Sequence, residues 1–138
     1  MVNTINMQDM RHLNLFSKIT NVSTPFCFNY NEMIFFVVPY TLLPKALGPD
    51  ARNLRKISDI LRKRIRIIAQ PREIKDAEKF IRAVIAPVEF NDIEVNEDEI
   101  IITGGSHNKA ALLGRGKRRL LEMEKILAYY FKRGYRII

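Results

Sequence analysis

The 138-residue sequence has no tryptophan, a single cysteine (Cys27) and two histidines, His12 and His107. One cysteine cannot close an internal disulfide, which fits a reducing compartment. His12, His107 and Cys27 form no cluster with the spacing of a metal site, and residue order offers no Ser-His-Asp set. The P-loop pattern is missing, and neither Gly104 nor Gly114 meets the dinucleotide-binding glycine fingerprint. These absences argue against an enzyme and imply neither cofactor nor metal. Glycine and proline are also sparse, at 6 each, while 47% of residues are hydrophobic, which excludes a wholly disordered chain. No apolar run approaches the ~20 residues that span a bilayer; the longest is Met33 to Val38. Met1 to Met10 has no apolar stretch of the kind a secretory signal carries. The expectation is a cytoplasmic, monomeric protein that does not engage a membrane.

What the chain does have is positive charge, unevenly placed. The net charge is +8 and the pI about 9.8, a balance that points to a polyanionic partner. Glu89, Asp92, Glu94, Glu97, Asp98 and Glu99 follow one another with no base between them. Lys109, Arg115, Lys117, Arg118 and Arg119 do so with no acid between them. A plain solvated surface mixes the two signs; these segments separate them.

The chain also repeats itself. Gly48 recurs as Gly114, 66 positions further on, and the same offset aligns much else. Asn31-Glu32-Met33-Ile34-Phe35-Phe36 falls on Glu97-Asp98-Glu99-Ile100-Ile101-Ile102, and Leu47 falls on Leu113. Arg52, Leu54, Ile60 and Leu61 fall on Arg118, Leu120, Ile126 and Leu127. After an insertion, Arg66-Ile67-Ile68 falls on Arg136-Ile137-Ile138. Two domains are expected, spanning 1–70 and 71–138.

Each half reads in the same order. Met10, Leu13, Phe16 and Ile19 recur at helical spacing and predict a helix over Met7–Thr20, with Asn6 as its N-cap. Phe26–Tyr30 and Met33–Val38 are β-rich runs joined at Asn31-Glu32, which predicts a hairpin. Leu42–Leu47 is a short helix, Gly48-Pro49-Asp50 breaks it, and Leu54, Ile57 and Leu61 mark a second helix beginning near Asp50 or Ala51. Arg64–Ile68 is a strand. In the second half, Ile74, Ala77, Ile81 and Val84 line a helix, and strands follow over Val88–Val95 and Ile100–Thr103. A short helix covers His107–Leu112, and Gly114-Arg115-Gly116 breaks it. Leu120, Met123, Leu127 and Tyr130 line a long helix that Gly134 closes as its C′ residue, and Tyr135–Ile138 is the last strand. The predicted class is α+β, each unit a three-stranded sheet with helices on one face.

The glycine turn between the paired helices is the chemically suggestive feature. A tight turn aims the N-terminus of the second helix outward, with unpaired N–H groups and a partial positive charge suited to phosphate. Glycine lets the backbone approach a ligand closely. Arg115, Lys117, Arg118 and Arg119 surround the second turn; Lys45, Arg52, Arg55 and Lys56 flank the first. A glycine between helices is most often a turn and nothing more, but here two such turns occupy equivalent places, each among bases.

A helix–glycine turn–helix inside this element order resembles the prokaryotic (type II) KH domain, and two in tandem are similar to the archaeal NusA family. The opening helix Met10 to Thr20, the following Cys27, and Ile81-Arg82-Ala83-Val84-Ile85-Ala86-Pro87-Val88 at the junction carry the same resemblance. The family turn is Gly, two residues often basic, then Gly. Here it reads Gly48-Pro49-Asp50-Ala51 and Gly114-Arg115-Gly116-Lys117, each without the closing glycine. The resemblance implies two tandem KH domains that hold single-stranded RNA, about four nucleotides per turn, in transcription termination or antitermination, with RNA polymerase a further partner. The implied RNA-binding residues are Lys45, Gly48, Pro49, Arg52, Arg55, Lys56, Arg64 and Arg66 in the first unit. In the second they are Lys109, Gly114, Arg115, Gly116, Lys117, Arg118 and Arg119. Asp50 sets a negative charge where a phosphate would lie, so the second unit is expected to hold the backbone better. Phe35, Phe36, Tyr129, Tyr130 and Phe131 are expected in cores or interfaces. The competing reading is an RNA polymerase- or ribosome-associated interaction module in which one or both units no longer bind RNA.

Overall fold

The protein is described by a computed structural model covering residues 7–24 and 26–138. It is α+β, with two three-stranded sheets of order β1-β2-β3 and β4-β5-β6. The chain divides into two compact units that part between Gln70 and Pro71.

The first unit opens with α1 (Met7–Thr20); Asn6, the expected N-cap, lies outside the described residues. Strands β1 (Cys27–Tyr30) and β2 (Met33–Val38) form an antiparallel hairpin. Its two turn residues, Asn31 and Glu32, both have positive φ (52° and 61°), as the tightest hairpin turns require. After a helical turn at Tyr40–Leu42 come α2 (Leu43–Leu47), α3 (Arg52–Leu61) and β3 (Ile65–Ala69). β3 runs parallel to β2, with Phe35 opposite Arg66.

Alternation along β2 decides what each face buries. Ile34, Phe36 and Val38 join Ile65 and Ile67 of β3 in a core closed by Phe16 of α1, Ala46 of α2 and Ile57 of α3. All three helices therefore lie on one face of the sheet. The Phe16 and Phe36 rings stack there at 4.5 Å. On the opposite face Phe28 stacks on Phe35 at 5.0 Å and Tyr30 meets Phe35 edge-on.

The second unit begins with a turn at Ile74–Asp76, held by a capping box. Glu73 caps the turn, and the Asp76 carboxylate accepts the Glu73 N–H. The helix proper, α4 (Ala77–Ile85), starts after Ile74 rather than at it and buries Phe80, Ile81 and Val84. Strands β4 (Asp92–Val95) and β5 (Glu99–Thr103) pair antiparallel, and β6 (Gly134–Ile137) runs parallel to β5. The first of these strands is shorter than the apolar pattern suggests. The Val88 N–H turns back to Ile85 O at 3.0 Å instead of joining a ladder, and Phe90 is buried under the Arg82 guanidinium, 3.9 Å from its ring centre. The β4–β5 loop is an Asx turn: Asn96 Oδ1 accepts the N–H of Asp98 (2.9 Å) and of Glu99 (2.8 Å).

α5 (Gly105–Leu113) begins two residues earlier than expected, and α6 (Arg118–Phe131) follows the glycine turn. α6 has 14 residues against 10 in α3, so the insertion between the repeats lengthens this helix. Its end is set by Lys132, not Gly134. Lys132 adopts φ 56° and donates its N–H to Ala128 O at 3.1 Å, while Gly134 already belongs to β6. Arg62 ends α3 in the same way, with φ 56° and a bond to Ser58 O at 2.7 Å. Phe35, Phe36 and Phe131 are buried, and Tyr129 and Tyr130 are half-buried, packed edge to face with each other.

Candidate nucleic-acid interface at the two glycine turns

The two turns trace one backbone path with different residues. Gly48 has φ 77°, ψ 172° and Gly114 has φ 77°, ψ 170°, a region that only glycine enters freely. The third positions match as well: Asp50 at 53°, 33° and Gly116 at 62°, 24°. The fourth positions, where the family turn closes on glycine, are Ala51 at 57°, 32° and Lys117 at 61°, 25°. Both are left-handed without being glycine, a conformation costing roughly 1–2 kcal/mol for an L-residue. Both positions thus hold a left-handed backbone that glycine adopts more readily than any other residue.

The same internal bonds hold both turns. Ala51 N–H donates to Gly48 O and Lys117 N–H to Gly114 O, each at 3.1 Å. Arg52 and Arg118 N–H groups donate to Pro49 O and Arg115 O. The sequence suggests unpaired N–H groups at this helix start; the structure commits these ones within the turn. Attraction for an anion then rests on the helix dipole and above all on the side chains.

A second matched pair bridges each turn. Asn53 Nδ2 donates to Lys45 O at 3.3 Å, and Arg119 donates through a guanidinium nitrogen to Ala111 O at 2.8 Å. Each side chain crosses its own glycine so closely that an added Cβ would meet it, 2.9 Å from Asn53 Nδ2 at Gly48 and 2.7 Å from Arg119 Cγ at Gly114. Arg119 is therefore half-buried and occupied as a backbone cap, rather than simply presenting its charge outward as the sequence suggests.

Around the second turn Arg115, Gly116, Lys117 and Arg118 are exposed, with Lys109 exposed on α5. Around the first turn Lys45, Pro49, Arg52, Arg55 and Lys56 are exposed, and so is Asp50. Arg52, Arg55 and Lys56 are spaced to share one side of α3. Arg64 and Arg66 are not gathered with them. Ile65 and Ile67 face the helices, so Arg66 points from the other side of the sheet, where it is half-buried with its guanidinium 5.8 Å from the Phe35 ring centre. Arg64 just precedes the strand and is exposed, its carbonyl accepting the Ile34 N–H. In the second unit Arg136 holds the corresponding place, bound to Glu99 at 2.9 Å.

One grouping was invisible in residue spacing. Asp9 and His12 of α1 meet Cys27 of β1, with one possible ligand atom from each all within 4.8 Å of one another. Burial, and secondarily the Asp9 charge, pushes the Cys27 thiol up to about 12. Burial also lowers the His12 pKa below its usual value, against the pull of Asp9. The i, i+3 spacing of Asp9 and His12 marks one helix face, but nothing in the sequence says that Cys27 lies under it.

This architecture defines a class: an α+β protein built twice from helix, hairpin, paired helices and parallel edge strand, each pair of helices joined through a glycine turn. The chain titled "Crystal structure of APE1850" shares the fold, with a TM-score of 0.65 at 21% identity, over 97% of this chain and 99% of that one. No family model matches the sequence. Two relatives carry the name "Probable transcription termination protein NusA". The one from Methanococcus vannielii is 28% identical over 93 residues, which is 67% of this chain and 52% of the relative. The one from Halococcus morrhuae is 24% identical over 95 residues, or 69% and 66%. The matched stretch thus spans about half of the first relative and just under two thirds of the second. At modest identity over about two thirds of this chain, the two support a NusA-like family, the one its residues resemble.

Proposed function

We propose that the chain is a non-catalytic, single-stranded RNA-binding protein of two tandem KH domains, 1–70 and 71–138, acting in transcription termination or antitermination. The observation that carries this reading is the pair of glycine turns on one left-handed path, each opening a longer helix amid exposed cations. The phosphate backbone is held at Gly114-Arg115-Gly116-Lys117 and Arg118, with Lys109 beside it, and more weakly at Gly48, Pro49 and Arg52, where Asp50 repels it. Lys45, Arg55 and Lys56 extend the positive field. RNA polymerase is a further partner in the same role, as the resemblance to the NusA family implies; the relatives' names speak of transcription termination.

The test is an anisotropy titration of short single-stranded RNAs, duplex RNA and single-stranded DNA at two salt concentrations. Single-stranded RNA is expected to bind tightest. Affinity should fall with salt at a slope of about −0.7 per neutralised phosphate, and Arg115→Ala should reduce that slope by about one phosphate's worth. Undetectable RNA binding at low salt, with RNA polymerase retained in a pull-down, would favour an interaction module instead.

A further inference from the structure

Away from both turns, the first unit places three chemically distinct ligand groups together: a carboxylate, an imidazole and a thiol. We propose that Asp9, His12 and Cys27 form a transition-metal site, with zinc(II) the cation it suits best. Asp9 and His12 stand three residues apart on α1, one helical turn, and Cys27 is the first residue of β1, only 6% exposed. Their ligand atoms lie within 4.8 Å of one another, and Cys27 Sγ is already 4.0 Å from Asp9 Oδ1.

Ligand bonds of about 2.0–2.3 Å in a tetrahedral zinc site put neighbouring donors roughly 3.5 Å apart. A contraction of about an ångström therefore completes the geometry, within the reach of side-chain rotation. Charge is matched: a thiolate and a carboxylate balance a dication, and the imidazole completes the set while neutral. The Lys63 ammonium acts on His12 from outside the triad and opposes a cation, one positive charge against two anionic ligands. Sulfur and nitrogen donors favour zinc over magnesium or calcium, which take oxygen. Three protein ligands leave a fourth position for water. On binding, the Cys27 thiol gives its proton to solvent and a Zn–S bond forms, tying α1 to the first strand.

The experiment is a titration of the full, reduced chain with Co2+, followed by absorbance. Thiolate-to-cobalt charge transfer in the near ultraviolet, together with visible bands of four-coordinate intensity, should saturate at one equivalent, and Zn2+ should displace them. Cys27→Ser should abolish the charge-transfer band. His12→Gln and Asp9→Asn should weaken Co2+ binding by at least about tenfold, the smallest loss that even outer-shell partners of metal ligands produce. Zn2+ should raise the thermal midpoint of the wild type and not of His12→Gln, because only a folded site binds it. Circular dichroism checks that each variant folds; if Cys27→Ser does not, His12→Gln decides. No charge-transfer band in the wild type, a band surviving in Cys27→Ser, or undiminished binding by His12→Gln would overturn the assignment.

Discussion

Asn53 and Arg119 do the same work in the two units: each crosses its turn glycine and donates to the carbonyl of the short helix that the turn leaves behind. A neutral amide suffices in the first unit, which shows that the role does not need charge. Arg119→Ala is therefore expected to cost stability first, about 1.5–3 kcal/mol for a lost hydrogen bond with a charged donor, read from urea unfolding. Its effect on RNA affinity should be smaller than that of Arg115→Ala. Arg119→Asn should recover part of the stability, since Asn53 makes this bond at the equivalent turn.

The third position of the turn separates charge from backbone. Asp50 and Gly116 share one conformation, and a Cβ on Gly116 would meet nothing within 4 Å. Gly116→Asp should leave the fold in place and add a carboxylate beside a phosphate, a repulsion of about 1 kcal/mol in a water-like dielectric, or roughly fivefold in RNA affinity. Asp50→Gly should strengthen binding by a similar factor. Both are read by anisotropy at low salt, with circular dichroism as control. Gly114→Asp is a poorer probe. Its φ of 77° with ψ near 170° and its crowding against Arg119 predict a strain of roughly 1–3 kcal/mol, so lost binding there would mix folding with contact. Gly48→Asp is strained in the same way by its own φ and by Asn53.

Ala51 and Lys117 hold left-handed backbone that glycine would hold at less cost. Ala51→Gly and Lys117→Gly should each raise stability by about 1 kcal/mol, after subtracting the extra entropy glycine loses on folding. Urea midpoints check this. The two should then diverge in RNA affinity: Ala51→Gly leaves the charge alone, whereas Lys117→Gly removes an exposed cation and should weaken binding while strengthening the fold.

These contrasts mark how far the sequence could be read. The offset between Gly48 and Gly114, the apolar periodicity of α1, α3 and α6, and the alternation of β2 are local patterns, and they place the elements and both turns. Position within an element is not the same as contact. Nothing local tells that Arg119 bends back over Gly114, or that Lys132 rather than Gly134 ends α6. Each depends on which face or carbonyl happens to be near. Cys27 is the sharpest case: its meeting with Asp9 and His12 follows from docking a helix on a strand, which spacing along the chain does not encode.

Asp76 offers a prediction about acid. Its carboxylate accepts the N–H of Arg72 at 2.9 Å and of Glu73 at 3.3 Å. The Arg72 bond, foremost, holds its pKa below the ordinary 3.8. A carboxylate whose folded pKa is depressed binds fewer protons folded than unfolded in that range, so its contribution is fully present above the unfolded value and disappears as pH falls through the folded one. Stability should therefore decline as pH drops below about 3.8, beyond whatever the other acids contribute. Asp76→Asn has no such titration and loses the charge-assisted bonds at every pH. It should be less stable than the wild type at pH 6, and the two urea midpoints should draw together as pH falls below the ordinary carboxylate value. A difference that stays constant across that range would assign the role of Asp76 to shape rather than to charge.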